Sequence, residues 1–420
     1  MLMNKKKEIV PKLRFPEFGT SEGWKKYKLR ELADRITKKV GDNKLVTLSI
    51  SAGIGFVSQA EKFSRDISGK QYCNYIYLKR GEFSYNKGNS KTFPQGCIYE
   101  LKEYDEAAVP NAFISFRFKE NLVPSFYQGY FDSNFHGKQL VRFITSGARS
   151  DGLLNISPTD FFSIVLPSPV KKEEQQKIAD CLSSIDELID AESRKLKALE
   201  KYKKGLMQKL FPAEGKTLPE WRFPEFQACG EWKYEEIGNI GEIITGKTPS
   251  TSDTALWDGD IQFVTPTDIT ENKYQCHTQR TVVKTPKMKV LPKHTIMFTC
   301  IASIGKMALS LYPCITNQQI NSIIPKACYD NEFIYYSLLQ KTPSIKSGFA
   351  NSTLPIINKT DFSKIQIPVI SDKKEQQKIA DCLSEVDTMI TEQSNKVEQL
   401  KAHKKGLMQG LFPSLKEADV

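Results

Sequence analysis

Residues 174–183, EQQKIADCLS, return letter for letter at 375–384, an offset of 201. KKGLMQKLFP at 203–212 returns as KKGLMQGLFP at 404–413 with the same offset, and TDFFSIVLPSP at 159–169 is echoed by TDFSKIQIPVI at 360–370. RFPEF at 14–18 recurs at 222–226, an offset of 208 that Trp24 and Trp232 share. Internal repetition of this kind means one structural unit built twice. The order is opening motif, long variable segment, long tail, then the same again. The change from 208 to 201 places a net length difference inside the variable segments, which resemble each other little. One scaffold presenting two unlike inserts is the expectation.

The repeated tails read as helices. Ile178, Leu182, Ile185, Ile189, Leu196, Leu199 and Leu206 form an apolar stripe that steps by three and four. Ile379, Leu383, Val386, Ile390, Val397, Leu400 and Leu407 form its counterpart. A period of 3.5 is the seam of a coiled coil. Glu192 and Lys203 interrupt one seam where Gln393 and Lys404 interrupt the other, and such polar residues fix register and orientation. We therefore expect the helices to pair with each other, antiparallel, with an approximate two-fold relation between the repeats. The alternative is two amphipathic helices packed on their own domains. A rod of about 57 Å follows from the rise of an α-helix, long enough to hold two readers one turn of DNA apart. Asp372 and Glu375 form a capping-box pattern ahead of the second helix, and the proline of LFP stops both. Gly205 and Gly406 fall within the last turns, consistent with a close helix crossing or with fraying.

A length of 420 residues fits two or three domains. The net charge is +11, and residues 1–170 hold 26 basic against 17 acidic side chains. A basic surface suits a polyanion such as DNA, although the segment 213–371 is nearly neutral. No run approaches a membrane span, and MLMNKKKEIVP lacks the apolar core of a secretory signal. Nine scattered cysteines without a C-x-x-C pair suggest reduced thiols in a cytoplasmic protein. Cys276 and His277 adjoin, but nothing around them completes a zinc set, so no metal site is expected.

GEIITGKT at 241–248 fits the phosphate-loop pattern G-x-x-x-x-G-K-[ST]. That loop works only where a strand delivers it to a helix N-terminus. Here PSTSDT follows, which favours turns, so a polar loop after a short strand is the preferred reading. Glu271 and Lys273 with Asp260 upstream mimic a nuclease trio that arises readily by chance. No N-P-P-Y-type methylation motif and no Ser/His/Asp arrangement is legible.

Taken in order, GEIITGKTPS at 241–250, LPKHTIMFTCIASIGKMAL at 291–309, TNQQINSIIP at 316–325, STLPIINKTDFSKIQIPV at 352–369 and the twin EQQKIADCL helices make the chain resemble the DNA specificity subunit of type I restriction–modification systems. The first insert, through FSYNKGNSKTFPQGCIY at 83–99 and SGARSDGLLNIS at 146–157, resembles a different branch of such readers. The resemblance covers nearly the whole chain. It implies an α+β protein with two globular target-recognition domains, at 1–170 and 213–371, and two long spacer helices, at 171–212 and 372–420. Each domain would read one half of a split double-stranded DNA target. The helices would act as a ruler and help dock two methyltransferase subunits, to which motor–nuclease subunits are added. S-adenosylmethionine, ATP and Mg²⁺ would belong to those partners, and the chain itself would be non-catalytic. The rival readings are a phosphate-loop NTPase or nuclease acting alone, and a coiled-coil scaffold without DNA contact.

Loops joining the strands of the inserts are where base and phosphate contacts are expected. In the first insert the candidates are Lys87, Asn89, Ser90, Lys91, Thr92, Arg149 and Ser150. In the second they are Lys247, Thr248, Ser250, Ser303, Lys306, Asn317 and Gln318. For each the plainer reading is turn chemistry. Phe83, Tyr85 and Trp257 are expected in the core.

Overall fold

Alternating apolar residues and buried helix ends build the same frame twice. The computed structural model describes residues 9–88, 93–144, 154–286, 288–349 and 356–413. The chain forms two compact units, residues 1–191 with 398–420, and residues 192–397.

In the first unit the elements run β1 (Lys25–Lys28), α1 (Leu29–Leu32), β2 (Ala33–Arg35), β3 (Leu48–Ser51), β4 (Gly55–Ser58), α2 (Gln59–Phe63), β5 (Ile76–Lys79), β6 (Phe83–Asn86), β7 (Cys97–Glu100), β8 (Glu106–Val109) and β9 (Ile114–Phe118). Then come α3 (Pro124–Asp132), α4 (Phe135–Leu140), α5 (Pro158–Phe161), β10 (Val165–Ser168) and the long helix α6 (Lys172–Leu210), which continues into the second unit. The central sheet is antiparallel with order β2-β9-β6-β7, while β1 pairs with β10, β3 with β4 and β5 with β8.

The second unit continues with β11 (Lys233–Glu236), α7 (Ile237–Ile240), β12 (Gly241–Thr245), β13 (Trp257–Val264), β14 (Tyr274–Gln275), β15 (Arg280–Val282), β16 (Ile296–Thr299), β17 (Met307–Ser310), β18 (Cys314–Thr316) and β19 (Ile320–Pro325). It closes with α8 (Asn331–Phe349), α9 (Lys359–Ser363), β20 (Gln366–Val369) and α10 (Lys373–Leu411). Its main sheet has order β12-β19-β16-β17-β14, a second sheet has order β15-β13-β18, and β11 pairs with β20.

The order β12-β19-β16-β17 repeats β2-β9-β6-β7, so the two inserts share a frame that their side chains conceal. Small contacts repeat with it. Tyr130 of α3 donates to the Pro167 carbonyl at 2.6 Å, and Ser337 of α8 donates to that of Pro368 at 2.6 Å. Phe83 and Tyr85 are fully buried and Trp257 is 6% exposed, as the sequence suggests.

The two repeated motifs of each half meet in a clasp. Arg14 donates through Nε and Nη2 to both carboxylate oxygens of Glu174 at 2.8 Å, and also to the carbonyls of Ser21 and Glu22. Arg222 holds Glu375 at 2.7 Å through the same two nitrogens, and donates to the carbonyls of Cys229 and Gly230. The next residue of each motif locks the domain. Gln175 accepts from Val123 N at 3.0 Å, and Gln376 accepts from Asp330 N at 2.7 Å. EQQ is thus a docking sequence, its glutamate gripping the arginine of RFPEF. The same use of Glu375 corrects the capping-box expectation. Asp372 does cap α10, accepting from Lys374 N at 2.8 Å, but the Glu375 carboxylate turns to Arg222.

LFP does more than stop the helices. Phe211 packs on Trp232 and Phe333, and Phe412 packs on Phe126 and Tyr130. Burying each ring contributes about 1.5–3 kcal/mol.

Along the seam, Ile178, Leu182, Ile379, Leu383, Val386 and Val397 are buried. Ile185, Ile189, Leu196, Leu199, Leu206, Ile390, Leu400 and Leu407 are half-buried. In the second unit the polar interruptions are partnered across the two helices. Gln393 donates to the Glu192 carboxylate at 2.6 Å, and Lys203 pairs with Asp387 at 2.5 Å. As α6 rises from 192 to 203, α10 falls from 393 to 387, so the helices run antiparallel. In the first unit Lys404 pairs with Asp186 at 2.6 Å. Positions 186 and 203 carry the same residues as 387 and 404, so one contact is made twice with roles exchanged. The ends of the stripes do two jobs. Ile178 and Leu182 share the first domain's core with Met408 and Leu411, and Ile379 and Leu383 share the second's with Met207 and Leu210. Gly205 and Gly406 mark no close crossing, because a Cβ at either would meet nothing within 4 Å.

Replacing Lys203 with methionine should lower stability by about 1–3 kcal/mol, since among the described residues the half-buried Asp387 side chain then keeps only the Tyr336 hydroxyl at 2.5 Å. Urea unfolding of the purified chain measures it, and an unchanged midpoint would reject this pairing.

Candidate nucleic-acid interface

The strands of the second domain deliver its candidate residues to one end of the sheets. β12 ends at Thr245 opposite Asn321, β16 ends at Thr299 opposite Ile320, and Val264 of β13 lies opposite Thr316 of β18. The loops 246–252, 265–268, 300–306 and 317–319 therefore leave together. Backbone bonds tie them. Gly246 N donates to Ile320 O at 3.1 Å, Asn317 N to Val264 O at 3.1 Å, and Cys300 N to Gln319 O at 2.8 Å.

All seven second-insert candidates lie in these loops, with different freedom. Lys247 and Lys306 are exposed and form no ion pair among the described residues. Thr248 donates its hydroxyl to Gln318 Oε1 at 2.7 Å, which leaves the exposed Gln318 amide nitrogen as a donor. The Ser250 hydroxyl bonds that of Ser252 at 2.8 Å. Ser303 helps close its turn, its carbonyl accepting from Thr299 at 2.5 Å. Asn317 is only 8% exposed and its side chain bonds Gln319 twice, at 2.9 and 3.1 Å, so it shapes the turn rather than facing outward. A cleft of about 780 Å³ opens beside the first of these loops, lined by Ile244, Leu256, Leu291 and Ile315, with Lys247 and Lys289 also bordering it.

In the first domain Lys87 follows β6, and Leu154 N donates to Lys87 O at 3.0 Å. That bond joins the flanks of the two candidate loops. Asn89, Ser90, Lys91, Thr92, Arg149 and Ser150 themselves lie outside the described residues.

The phosphate-loop pattern has another cause. No helix follows Lys247, and the next helical turn is the short one at Thr254–Leu256. β12 is an antiparallel edge strand. A Cβ on Gly241 would lie 2.4 Å from Ile324 O, and one on Gly246 would lie 2.2 Å from Asn317 O, so each glycine admits a neighbouring backbone. The nuclease-like trio also dissolves. Lys273 pairs with Glu332 at 2.8 Å and donates to Ser384 at 2.8 Å. Burial pushes the Glu332 carboxyl up, but hydrogen bonds from Lys273, Ser384 and Tyr274 outweigh it and hold the group below its usual value. Burial pushes the thiols of Cys300 and Cys314, near this sheet end, up to about 11 and about 12, so neither is a nucleophile at neutral pH. Among the described residues no group of three or more His, Cys, Asp and Glu side chains is placed to hold a metal ion. No helix among them is long and apolar enough to cross a membrane.

One candidate escaped the sequence reading. ITKK at 36–39 stands 208 residues before ITGK at 244–247, the offset that RFPEF already displays. β2 occupies the place of β12, so Lys39 occupies that of Lys247. Lys39 is exposed, its Nζ 3.0 Å from Asn74 Oδ1.

Residues 21–201 and 230–402 each match the sequence profile described as the type I restriction modification DNA specificity domain. The chain belongs to this family. The MjaIX specificity subunit of a type I restriction enzyme from Methanocaldococcus jannaschii is 35% identical over 179 residues, 41% of either chain. The putative MjaX specificity subunit of the same organism is 28% identical over 69% of this chain and 67% of its own. The HindI specificity subunit of Haemophilus influenzae is 33% identical over 32% of this chain and 31% of its own. The chain thus spans less than half of the first and third of these specificity subunits. Among solved structures, the S subunit of a type I restriction–modification system from M. genitalium shares the fold with a TM-score of 0.63 at 16% identity, over 97% of this chain and all of that one. A chain from a structure of type I complex assembly and conformational transition gives 0.56 at 16% identity, over 93% of this chain and 96% of its own. Each of the two matched segments falls within one of the two repeats read from the sequence of this specificity chain.

Proposed function

We propose that this chain is the specificity subunit of a type I restriction–modification complex, and that each of its domains reads one half of a split duplex DNA target. The observation that supports this reading is the frame built twice, with Lys39 and Lys87 following β2 and β6 as Lys247 and the 300–306 loop follow β12 and β16. In each unit an antiparallel pair of helix segments adjoins the domain. The long helices act as a ruler that fixes the gap between half-sites. The helices also help dock two methyltransferase subunits, and motor–nuclease subunits complete the assembly. S-adenosylmethionine, ATP and Mg²⁺ act on those partners, and this chain lends specificity without catalysing a step. It works in the cytoplasm, where DNA is met.

The contacts are Lys39 and Lys87 in the first domain, with Asn89, Ser90, Lys91, Thr92, Arg149 and Ser150. In the second they are Lys247, Thr248, Ser250, Ser303, Lys306 and Gln318. Lysines neutralise phosphate, and amide and hydroxyl groups reach base edges.

The test is methylome sequencing of cells carrying the complex, with and without this chain, which should reveal one split motif. Lys247→Ala should lower methylation at that motif severalfold and leave the first half-site's sequence preference unchanged. A contiguous motif, or ATP hydrolysis by the isolated chain that Lys247→Ala abolishes, would overturn the reading.

A further inference from the structure

We infer that Arg280 is a DNA-contacting residue of the second domain, offering its guanidinium fork to two adjacent acceptors on DNA; this rests on the DNA-recognition reading above. The guanidinium carbon lies 3.4 Å from the centroid of the Trp257 ring, a flat stack. The platform is fixed, because Trp257 is 6% exposed and its indole Nε1 donates to the Ser250 carbonyl at 2.9 Å. Ser250 belongs to the loop that carries Lys247 and Thr248. The backbone beneath Arg280 is fixed as well. Arg280 pairs with Phe263 across β15 and β13, its carbonyl accepts from the Thr278 hydroxyl at 2.7 Å, and Gln279 N donates to Asp268 at 2.9 Å. Asp268 closes the 265–268 turn by accepting from Thr265 N at 2.8 Å, so Arg280 borders the reading end.

The contrast with the clasp arginines is informative. Arg222 directs its guanidinium at Glu375 and two carbonyls and is nearly buried. Arg280 is exposed, and its guanidinium meets no carboxylate or carbonyl among the described residues. Stacking leaves the in-plane N–H groups pointing outward in a set direction, which removes much of the rotamer entropy an arginine loses on binding. A fork held this way fits the O6 and N7 of guanine or two oxygens of one phosphate. Lysine offers neither the plane nor the stack.

The experiment compares methylation rates of the assembled complex carrying wild-type chain, Arg280→Ala or Arg280→Lys, on DNAs with each base of the motif replaced in turn. Both variants should lower the rate on the native motif by about tenfold, while the thermal unfolding midpoint should fall only slightly, since an exposed cation–π stack on Trp257 is what stability loses. Loss of preference at one guanine of the second half-site assigns the fork to a base. A loss equal across sequences, with the salt slope reduced by about one, assigns it to phosphate. Native rates in both variants, while Lys247→Ala still lowers them, would overturn the role of Arg280 alone. A wild-type complex that recognises no split motif would instead overturn the reading beneath it.

Discussion

Glu375→Ala should destabilise the second unit by about 3–5 kcal/mol, because it strands a buried cation. The Glu375 side chain is fully buried and that of Arg222 is 9% exposed. An arginine guanidinium stays protonated at any accessible pH, so the stranded Arg222 cannot escape by losing its proton. Without Glu375 its hydrogen bonds among the described residues are to the carbonyls of Cys229 and Gly230, both 3.0 Å away, with Asp372 the remaining nearby carboxylate. The damage should spread along β11 and β20, since Lys233 pairs with Val369 just before the clasp glutamate's helix begins. Glu174→Ala should cost at least as much in the first unit, because Glu174 also accepts from Trp24 Nε1 at 3.0 Å. Trp232 Nε1 has no partner among the described residues, so the second clasp lacks that bond. Urea unfolding followed by amide hydrogen exchange in β11 and β20 measures the effect. The double variant Arg222→Met with Glu375→Leu should recover most of the loss, as apolar replacements of buried ion pairs often do. If the single variant unfolds at the wild-type midpoint, the clasp does not hold the domain to its helix.

That clasp also marks how far the sequence could be read. Both of its halves are visible as repeats, and their offsets of 208 and 201 are plain in the letters. Nothing in the letters says that they touch, because Arg222 and Glu375 lie 153 residues apart. The helices were legible because a 3.5 period survives substitution, and Glu192, Lys203, Gln393 and Lys404 stood out by breaking it. Their partners were half legible. Gln393 faces its own counterpart Glu192, but Asp186 and Asp387 lie beside the seam and gave no signal. The shared frame of the inserts was not legible, since a strand tolerates FSYN in one domain and IMFT in the other so long as its buried positions fit. The loops proposed to read DNA were picked out from turn chemistry. Arg280 was missed because its setting depends on Trp257, 23 positions earlier, and on a β-bulge between Trp257 and Ile261.

Gly246→Ala should remove recognition of the second half-site while the domain stays folded. The added Cβ would lie 2.2 Å from both Asn317 O and Thr316 O, and 2.3 Å from Thr316 Oγ1. Two of these atoms are backbone where β18 turns into β19, and Gly246 N is already bonded to Ile320 O at 3.1 Å. The loop 246–250 must therefore lift by about 1 Å to regain contact distance. Overpacking of this size costs about 1–3 kcal/mol, too little to unfold a domain with so large a core. The functional cost is greater. The lift strains the Thr248–Gln318 bond of 2.7 Å, moves Lys247, and loosens the Ser250 carbonyl that fixes Trp257 beneath Arg280. A displacement near 1 Å can lower a rate about a hundredfold, so methylation of the native split motif should fall by about that factor. The first half-site should keep its sequence preference, since its loops belong to the other unit. Gly205→Ala is the matched control, because nothing lies within 4 Å of its Cβ and the position is helical. It should stabilise the chain by up to about 1 kcal/mol and leave recognition intact. A Gly246→Ala complex that methylates the native motif at the wild-type rate would show that the 246–250 loop does not read DNA.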